Sequence, residues 1–504
     1  MCGIAFVRGE RDADKIVRGM LDRLAYRGPD GEGRYVDVGA DAVLGHKRLA
    51  IIDPEGGAQP ILAPDGNAAL IVNGMIYNDK GLRGELSARK PAPFFRTRSD
   101  SEPILHGFRA HGTEIVRRLD GMFAFVLTDD GRVVAARDPV GIKPLYIGRR
   151  GDALYLASEI KALVGQVDTL EEFPPGHLFD DRDDMKRYYA VPEPRCEFMN
   201  PEETRALVRD TLERAVVKRL RSDVPLGAFL SGGLDSSIIA AIAKRHLDTL
   251  HTFSVGLEGS EDLDAARRVA EHIGSKHHET IIRPDELVRQ LPTILYHLES
   301  YDQDLVRSAA PTWFVAGLAS QTVKVVLTGE GADELFAGYA YYKNYADRSE
   351  LHRELHRSIT TMHNINLQRV DRMTMAHGLE ARVPFLDLEM IDLAMRIDPA
   401  LKIRRTNGAS IEKWILRRAF EDLLPSDIVW RDKAQFDQGS GCDVALAAST
   451  PQRPRMARSD ASPEETWYRA VFMDVFPKAE QALPLVAHWA PPAPAPRRRP
   501  WQSR

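Results

Sequence analysis

The sequence predicts two units of different build in one chain, an α+β unit rich in sheet followed by an α/β unit with a parallel sheet. Three observations predict this. Over the first 190 residues short apolar runs alternate with turn signals; beyond residue 202 compact apolar strands alternate with long amphipathic helical stretches; and the two regimes meet in a proline-rich polar segment. A chain of 504 residues accommodates both units, and 43% hydrophobic with 28% charged residues is a globular composition.

In the first unit, 2–190, the apolar runs at 42–44, 69–72, 124–127, 133–136 and 154–157 read as strands, and 14–24 and 102–111 as helices. Residues 191–202, with Pro192, Pro194 and Pro201, read as a linker. In the second unit, 203–480, strands at 224–230, 251–255 and 323–327 lie between helical stretches, the pattern of a parallel sheet covered on both faces. Residues 484–504 hold six prolines and end in a cluster of arginines, which predicts a disordered tail.

Charge and cysteine usage narrow the function. Lys plus Arg number 68 and Asp plus Glu 73, a net charge of −5, which is no field for coating nucleic acid. The sequence has no apolar run of the ~18 residues that span a membrane and no basic-then-apolar leader, so the expected compartment is the cytoplasm. The three cysteines, Cys2, Cys196 and Cys442, are too scattered for a disulfide framework or a zinc site.

Cys2 is a candidate nucleophile, although a cysteine can stand at position 2 by chance. Removal of Met1 would give it a free α-amine with an ordinary pKa of ~7.7–8.0, a general base beside its own thiol. The thiol would attack a carbonyl, and water would release the thioester. Downstream stand Arg27-Gly28-Pro29-Asp30, the stretch His46 to Asp53, Asn73-Gly74-Met75-Ile76-Tyr77-Asn78, Ser99-Asp100-Ser101-Glu102 and Arg137-Asp138-Pro139. With these residues the first unit resembles the glutaminase domain of class II, N-terminal-nucleophile glutamine amidotransferases. The resemblance implies an αββα sandwich. It further implies that Arg48 clamps the glutamine carboxylate, Asp100 holds its ammonium, and Leu49, Ala50, Ile51 and Ile52 line the pocket by their backbone. Asn73 and Gly74 would form the oxyanion hole. One position departs: Met75 stands where that family carries a glutamate beside the glutamine amino group, which removes one anionic partner.

The run 224–230 leads into Ser231-Gly232-Gly233-Leu234-Asp235-Ser236-Ser237 and then a helical stretch, and strand, glycine turn and helix N-terminus make an anion site. Asp235 within it would repel phosphate unless a divalent cation bridges them, which implies Mg²⁺. No Gly-Lys dipeptide occurs, so this is no Walker loop. The string matches the ATP-pyrophosphatase signature, whose members activate a substrate as its adenylate. The second strand-to-loop junction, Thr328-Gly329-Glu330-Gly331-Ala332-Asp333, places Asp333 as a second Mg²⁺ carboxylate and Glu330 as a base. The C-terminal unit is similar to the synthetase domain of the glutamine-hydrolysing asparagine synthetase family, and the order of domains agrees. That resemblance puts ATP on Leu230, Ser231, Gly232, Gly233, Asp235, Ser236, Val255, Thr328 and Gly329, with Arg307 and Lys433 neutralising phosphate charge, and makes 380–387 a packed structural segment. Asp304 and Leu305 replace two threonines usual before the arginine, and Ala434 replaces a glutamate, so the acceptor site departs.

The expected activity is glutamine- and MgATP-dependent conversion of aspartate to asparagine through a β-aspartyl adenylate, with ammonia passing internally between the sites. One rival keeps this architecture with another carboxylate acceptor or nitrogen donor; another is a non-catalytic nucleotide-binding regulatory protein. The expected partners are small molecules (glutamine, ATP, aspartate or another carboxylate), with no nucleic acid and no membrane, and a homodimer is compatible with the sequence.

Overall fold

Alternation of side chains along the N-terminal strands builds a four-layered αββα sandwich. The computed structural model describes residues 2–406, 409–432, 436–451 and 462–488. One antiparallel sheet runs in the order Thr169–Glu172, Tyr146–Arg150, Ala153–Ala157, Gly3–Arg8, Ala42–Arg48, Gly31–Asp37. The other runs Asp184–Arg187, His177–Asp180, Arg132–Arg137, Gly121–Asp129, Ala68–Ile76, Ile61–Leu62. Ile4 and Phe6 of the first sheet share a core with Ile71, Val126 and Val133 of the second, so these residues fill the space between sheets. The alternate residues Ala5 and Val7 belong to a different cluster with Val17, Met20 and Leu21 of helix Ala13–Arg23. On the far side Val72, Phe123 and Phe125 cluster with Leu82, Ile104 and Phe108, from helices Asp79–Ser87 and Glu102–His111. The period of two is thus used on both faces, since each sheet is covered by a sheet and by helices.

The C-terminal sheet is parallel, in the order Lys276–Ile281, His251–Gly256, Leu226–Phe229, Val325–Leu327, Glu380–Arg382. Numbered along the chain, these five strands lie 3-2-1-4-5, so the direction of winding reverses between Leu226–Phe229 and Val325–Leu327. Loops leaving the carboxyl ends of two such strands part to opposite faces and open a crevice. The first of these loops enters helix Leu234–Arg245, the second helix Ala332–Phe336.

The strand Lys276–Ile281 was not predicted, because its Lys, two His, Glu and Thr carry no apolar run; it is an edge strand, where polar residues are tolerated. The segment expected as a linker is shorter and less free than predicted. Helix Pro201–Arg219 begins inside it, with proline in its first turn and the Asn200 side chain accepting from the Glu202 and Glu203 N–H groups at 3.0 and 3.2 Å, a cap worth about 1 kcal/mol. Ahead of it Arg195 and Glu197 donate their backbone N–H groups to the carbonyls of Met395 and Arg396. The predicted tail also begins too early at residue 484: Leu483–Leu485 forms a 3₁₀ turn and Val486 is buried, because these residues are apolar before the proline run starts. Residues 489–504 lie outside the described residues. Among the described residues no helix is long and apolar enough to cross a membrane.

Candidate active sites

Three strands converge on Cys2. It precedes strand Gly3–Arg8, which pairs with the strand ending at Arg48, while Asn73, Gly74 and Met75 lie on Ala68–Ile76 of the facing sheet. The Cys2 backbone N–H donates to Asn73 Oδ1 at 3.0 Å, which leaves Asn73 Nδ2, fully buried, without a hydrogen-bond partner among the described residues. A buried donor left unpaired costs about 1–3 kcal/mol. Beside a thiol it is a ready donor for an oxyanion. At Gly74 a Cβ would stand 2.2 Å from the Met122 carbonyl oxygen, so the backbone there approaches its neighbour too closely for any side chain. Burial pushes the Cys2 thiol up, so its activation requires a base.

Arg48 donates to the carbonyls of Asp53 and Pro54, both at 2.7 Å, and this fixes its guanidinium; Leu49, Ala50, Ile51 and Ile52, which follow it, are buried. Asp100 is buried and accepts from the Ile76 N–H at 2.7 Å; burial, with help from Asp79, pushes its carboxyl up to about 6. Met75 is buried in an apolar cluster that also holds Leu49, Ile51, Met122, Val383, Phe385 and Leu230, and so reaches from the first unit into the second.

The second site is a cavity of about 420 Å³ at the crevice of the parallel sheet. Leu230, Ser231, Gly233, Asp235, Ser236, Thr328, Gly329, Glu330 and Asp333 line it, as both strand-to-loop junctions predict. The Ser236 hydroxyl meets the Ser231 N–H at 3.2 Å and the Ser231 hydroxyl at 3.1 Å, which folds the loop back on the start of its helix. Asp235 and Asp333 converge: the Lys413 ammonium stands 2.5 Å from a carboxylate oxygen of each. Glu330 pairs with Arg369.

Three expected residues sit elsewhere, and a fourth is not described. Gly232 is absent from the lining; its φ is +71° and a Cβ there would meet the Ala266 N at 2.5 Å, so it lets the loop press against helix Glu261–Ile273. Val255 is buried in the core, and its neighbours Phe253 and Ser254 line the cavity instead. Arg307 is also absent from the lining, its guanidinium held by Glu464 at 2.9 and 2.5 Å. Lys433, with Ala434, lies outside the described residues. Asp304 and Leu305 do line the cavity, and burial pushes the Asp304 carboxyl up to about 6. The segment at 380–387 is packed structure, with Glu380 paired to Arg382 at 2.7 Å, both buried.

Residues 207–491 match the family described as asparagine synthase, and residues 1–198 match the glutamine amidotransferase domain family. The chain is 40% identical over 515 residues to asparagine synthetase [glutamine-hydrolyzing] 3 of Arabidopsis thaliana, covering 95% of this chain and 88% of that protein. The chain belongs to the glutamine-hydrolysing asparagine synthetase family. It is also 37% identical over 540 residues to a probable asparagine synthetase [glutamine-hydrolyzing] of Dictyostelium discoideum, covering 97% of this chain and 96% of that one.

In this asparagine synthetase family member, sequence reasoning missed the cationic and hydroxyl side chains around the carboxylates. Lys413 is 178 residues from Asp235 in the chain and stands in no glycine loop or strand junction. Arg369 and Asn366 come from helix Asn366–Met375, where Asn366 Nδ2 donates to Glu334 at 2.7 Å and to the Tyr339 hydroxyl oxygen at 2.8 Å. That helix also carries Asp371, which accepts from Arg27 at 2.8 Å, and the Arg27 Nε donates to the Cys2 carbonyl at 3.0 Å.

Proposed function

We propose that this chain synthesises asparagine: it hydrolyses glutamine at Cys2, activates aspartate with ATP in the cavity of the parallel sheet, and passes ammonia between the two. The observation that carries this reading is the apolar cluster that joins Met75 and Leu49 of the first unit to Leu230, which lines the same cavity as Asp235. Ammonia kept among apolar side chains stays unprotonated, and only the neutral form is a nucleophile.

At the first site the thiol of Cys2 attacks the side-chain amide carbon of glutamine, its proton passing to the α-amine freed by loss of Met1. The oxygen that gains charge is received by Asn73 Nδ2, whose lack of another partner among the described residues supports this role, and by the Gly74 N–H. The leaving nitrogen takes the proton and departs as ammonia, and water then releases glutamate from the thioester. Arg48 and Asp100 hold the two charged groups of the amino acid.

At the second site the aspartate β-carboxylate attacks the α-phosphorus of ATP and pyrophosphate leaves; ammonia then displaces AMP. Glu330, at the cavity and oriented by Arg369, is placed to accept the proton that the attacking nitrogen must lose. The residues fit Mg²⁺, since two carboxylates converge on one cationic position, now held by an ammonium, and oxygen is the ligand this ion takes. Asp235 and Asp333 would hold it, and it would supply charge neutralisation to the phosphates.

The paired test uses Cys2→Ala and Asp235→Asn. Cys2→Ala is expected to abolish glutamine-dependent asparagine formation and keep the ammonia-dependent reaction, while Asp235→Asn stops pyrophosphate release and keeps glutamine hydrolysis. Loss of both activities in either variant would refute the division of labour. A second reading, another carboxylate acceptor, rests on Asp304, an added carboxyl in the cavity. Pyrophosphate release with other acids, and none with aspartate, would favour it.

A further inference from the structure

We propose that Lys413 is a resident counter-ion that occupies the divalent-cation position while the cavity lacks nucleotide, so that the metal enters only together with phosphates. The inference rests on the reading of Asp235 and Asp333 as metal ligands. Two carboxylates aimed at one point repel, and with side chains only 13% and 18% exposed they have little water to screen them. Lys413, itself 1% exposed, answers both from one ammonium, 2.5 Å from Asp235 Oδ2 and 2.5 Å from Asp333 Oδ1.

The placement is built by the backbone. Lys413 has φ 54° and ψ 27°, the left-handed region that a lysine rarely adopts, and so stands at a special site. Opposite it, a Cβ at Gly338 would fall 2.2 Å from Lys413 Cε and 1.9 Å from Asp333 Oδ1, so only glycine leaves room for the stem to reach the pair. Both features cost conformational freedom, and together they aim one ammonium between two carboxylates.

A cation cannot share that point with an ammonium. A free divalent ion must expel the buried Lys413 ammonium from its contact with both carboxylates. Phosphates arriving with the ion change this, because Lys413 lines the same cavity as Ser231, Gly233 and Ser236 and gains new anionic oxygens on release. Lys413 is thus a positioning residue, which delays the metal until the nucleotide can take the displaced charge.

Mn²⁺ binding to the full chain, followed by electron paramagnetic resonance with and without a non-hydrolysable ATP analogue, tests this without turnover. Wild type should bind Mn²⁺ at this site only with the analogue. Lys413→Gln should bind it without nucleotide at least tenfold more tightly than wild type, Lys413→Arg should behave as wild type, and Asp333→Asn should lose the site. Equal affinity of Lys413→Gln and wild type without nucleotide would overturn the proposal. Should Lys413→Gln not fold, the wild-type titration still decides: nucleotide-gated binding supports the proposal and tight binding without nucleotide overturns it. Absence of any Asp333-dependent Mn²⁺ site even with the analogue would instead refute the metal reading, and the proposal with it.

Discussion

Asp100, proposed to bind the glutamine ammonium, works against its own fold. Its carboxyl, pushed up to about 6 by burial, is ionised at neutral pH, where it can hold an ammonium, but is half protonated near pH 6. The specificity constant for glutamine hydrolysis is therefore expected to fall about tenfold per unit below pH 6, measured by glutamate release against Asp100→Asn, which lacks that limb. Stability runs the opposite way. The folded state holds a proton between the ordinary carboxylate range and pH 6 that the unfolded chain has released, so this group lowers stability as pH rises through that window. Asp100→Asn should accordingly unfold at higher temperature than wild type at pH 8 and at the same temperature near pH 4. The meeting of candidate residues was legible where each stands in one local motif: Cys2 touches Asn73, and Asp235 and Asp333 converge. Lys413, which meets Asp235 and Asp333, and Arg369, which meets Glu330, were illegible because both arrive only through tertiary packing. Arg307 was carried over from the family and lies against Glu464 instead, a partner 157 residues away.

Loops set by single glycines decide what the parallel sheet can do. Gly232 needs a positive φ and leaves no space for a side chain against Ala265 and Ala266. Gly232→Ala should push helix Glu261–Ile273 off the loop and weaken binding of a fluorescent ATP analogue by at least tenfold, with glutamine hydrolysis unchanged; an undisturbed nucleotide affinity would contradict this role. Elements were legible wherever burial writes a period into the sequence. The predicted strands at 69–72 and 124–127 lie within Ala68–Ile76 and Gly121–Asp129, whose ends are set by pairing with each other over nine residue pairs and not by hydrophobicity. The edge strand Lys276–Ile281 and the three-residue strand Glu380–Arg382 escape such reading, one because it is polar, the other because it is short.

Across the whole molecule the two units are joined by buried charge as well as apolar surface. Arg27, Glu159 and Lys161 from the first meet Glu299, Asp371 and Arg372 from the second, every side chain 2% exposed or less. Removing one member strands the others in a medium that cannot solvate them, at a cost of about 3–5 kcal/mol. Asp371→Asn is therefore expected to lower the unfolding temperature and also to slow glutamine hydrolysis, since Arg27 holds the Cys2 carbonyl. Unchanged hydrolysis in a destabilised variant would show that the network serves folding alone. Helix Asn366–Met375 adds a constraint of a different kind. Arg369 faces Glu330 and Asp371 faces Arg27, and two residues on a helix are turned ~200° apart, so one rod presents opposite sides to the two chemistries. A residue inserted or deleted between them would rotate one contact by ~100° relative to the other. The distance between Arg369 and Asp371 along the chain thus sets the relative bearing of the two contacts, whatever residue stands between them.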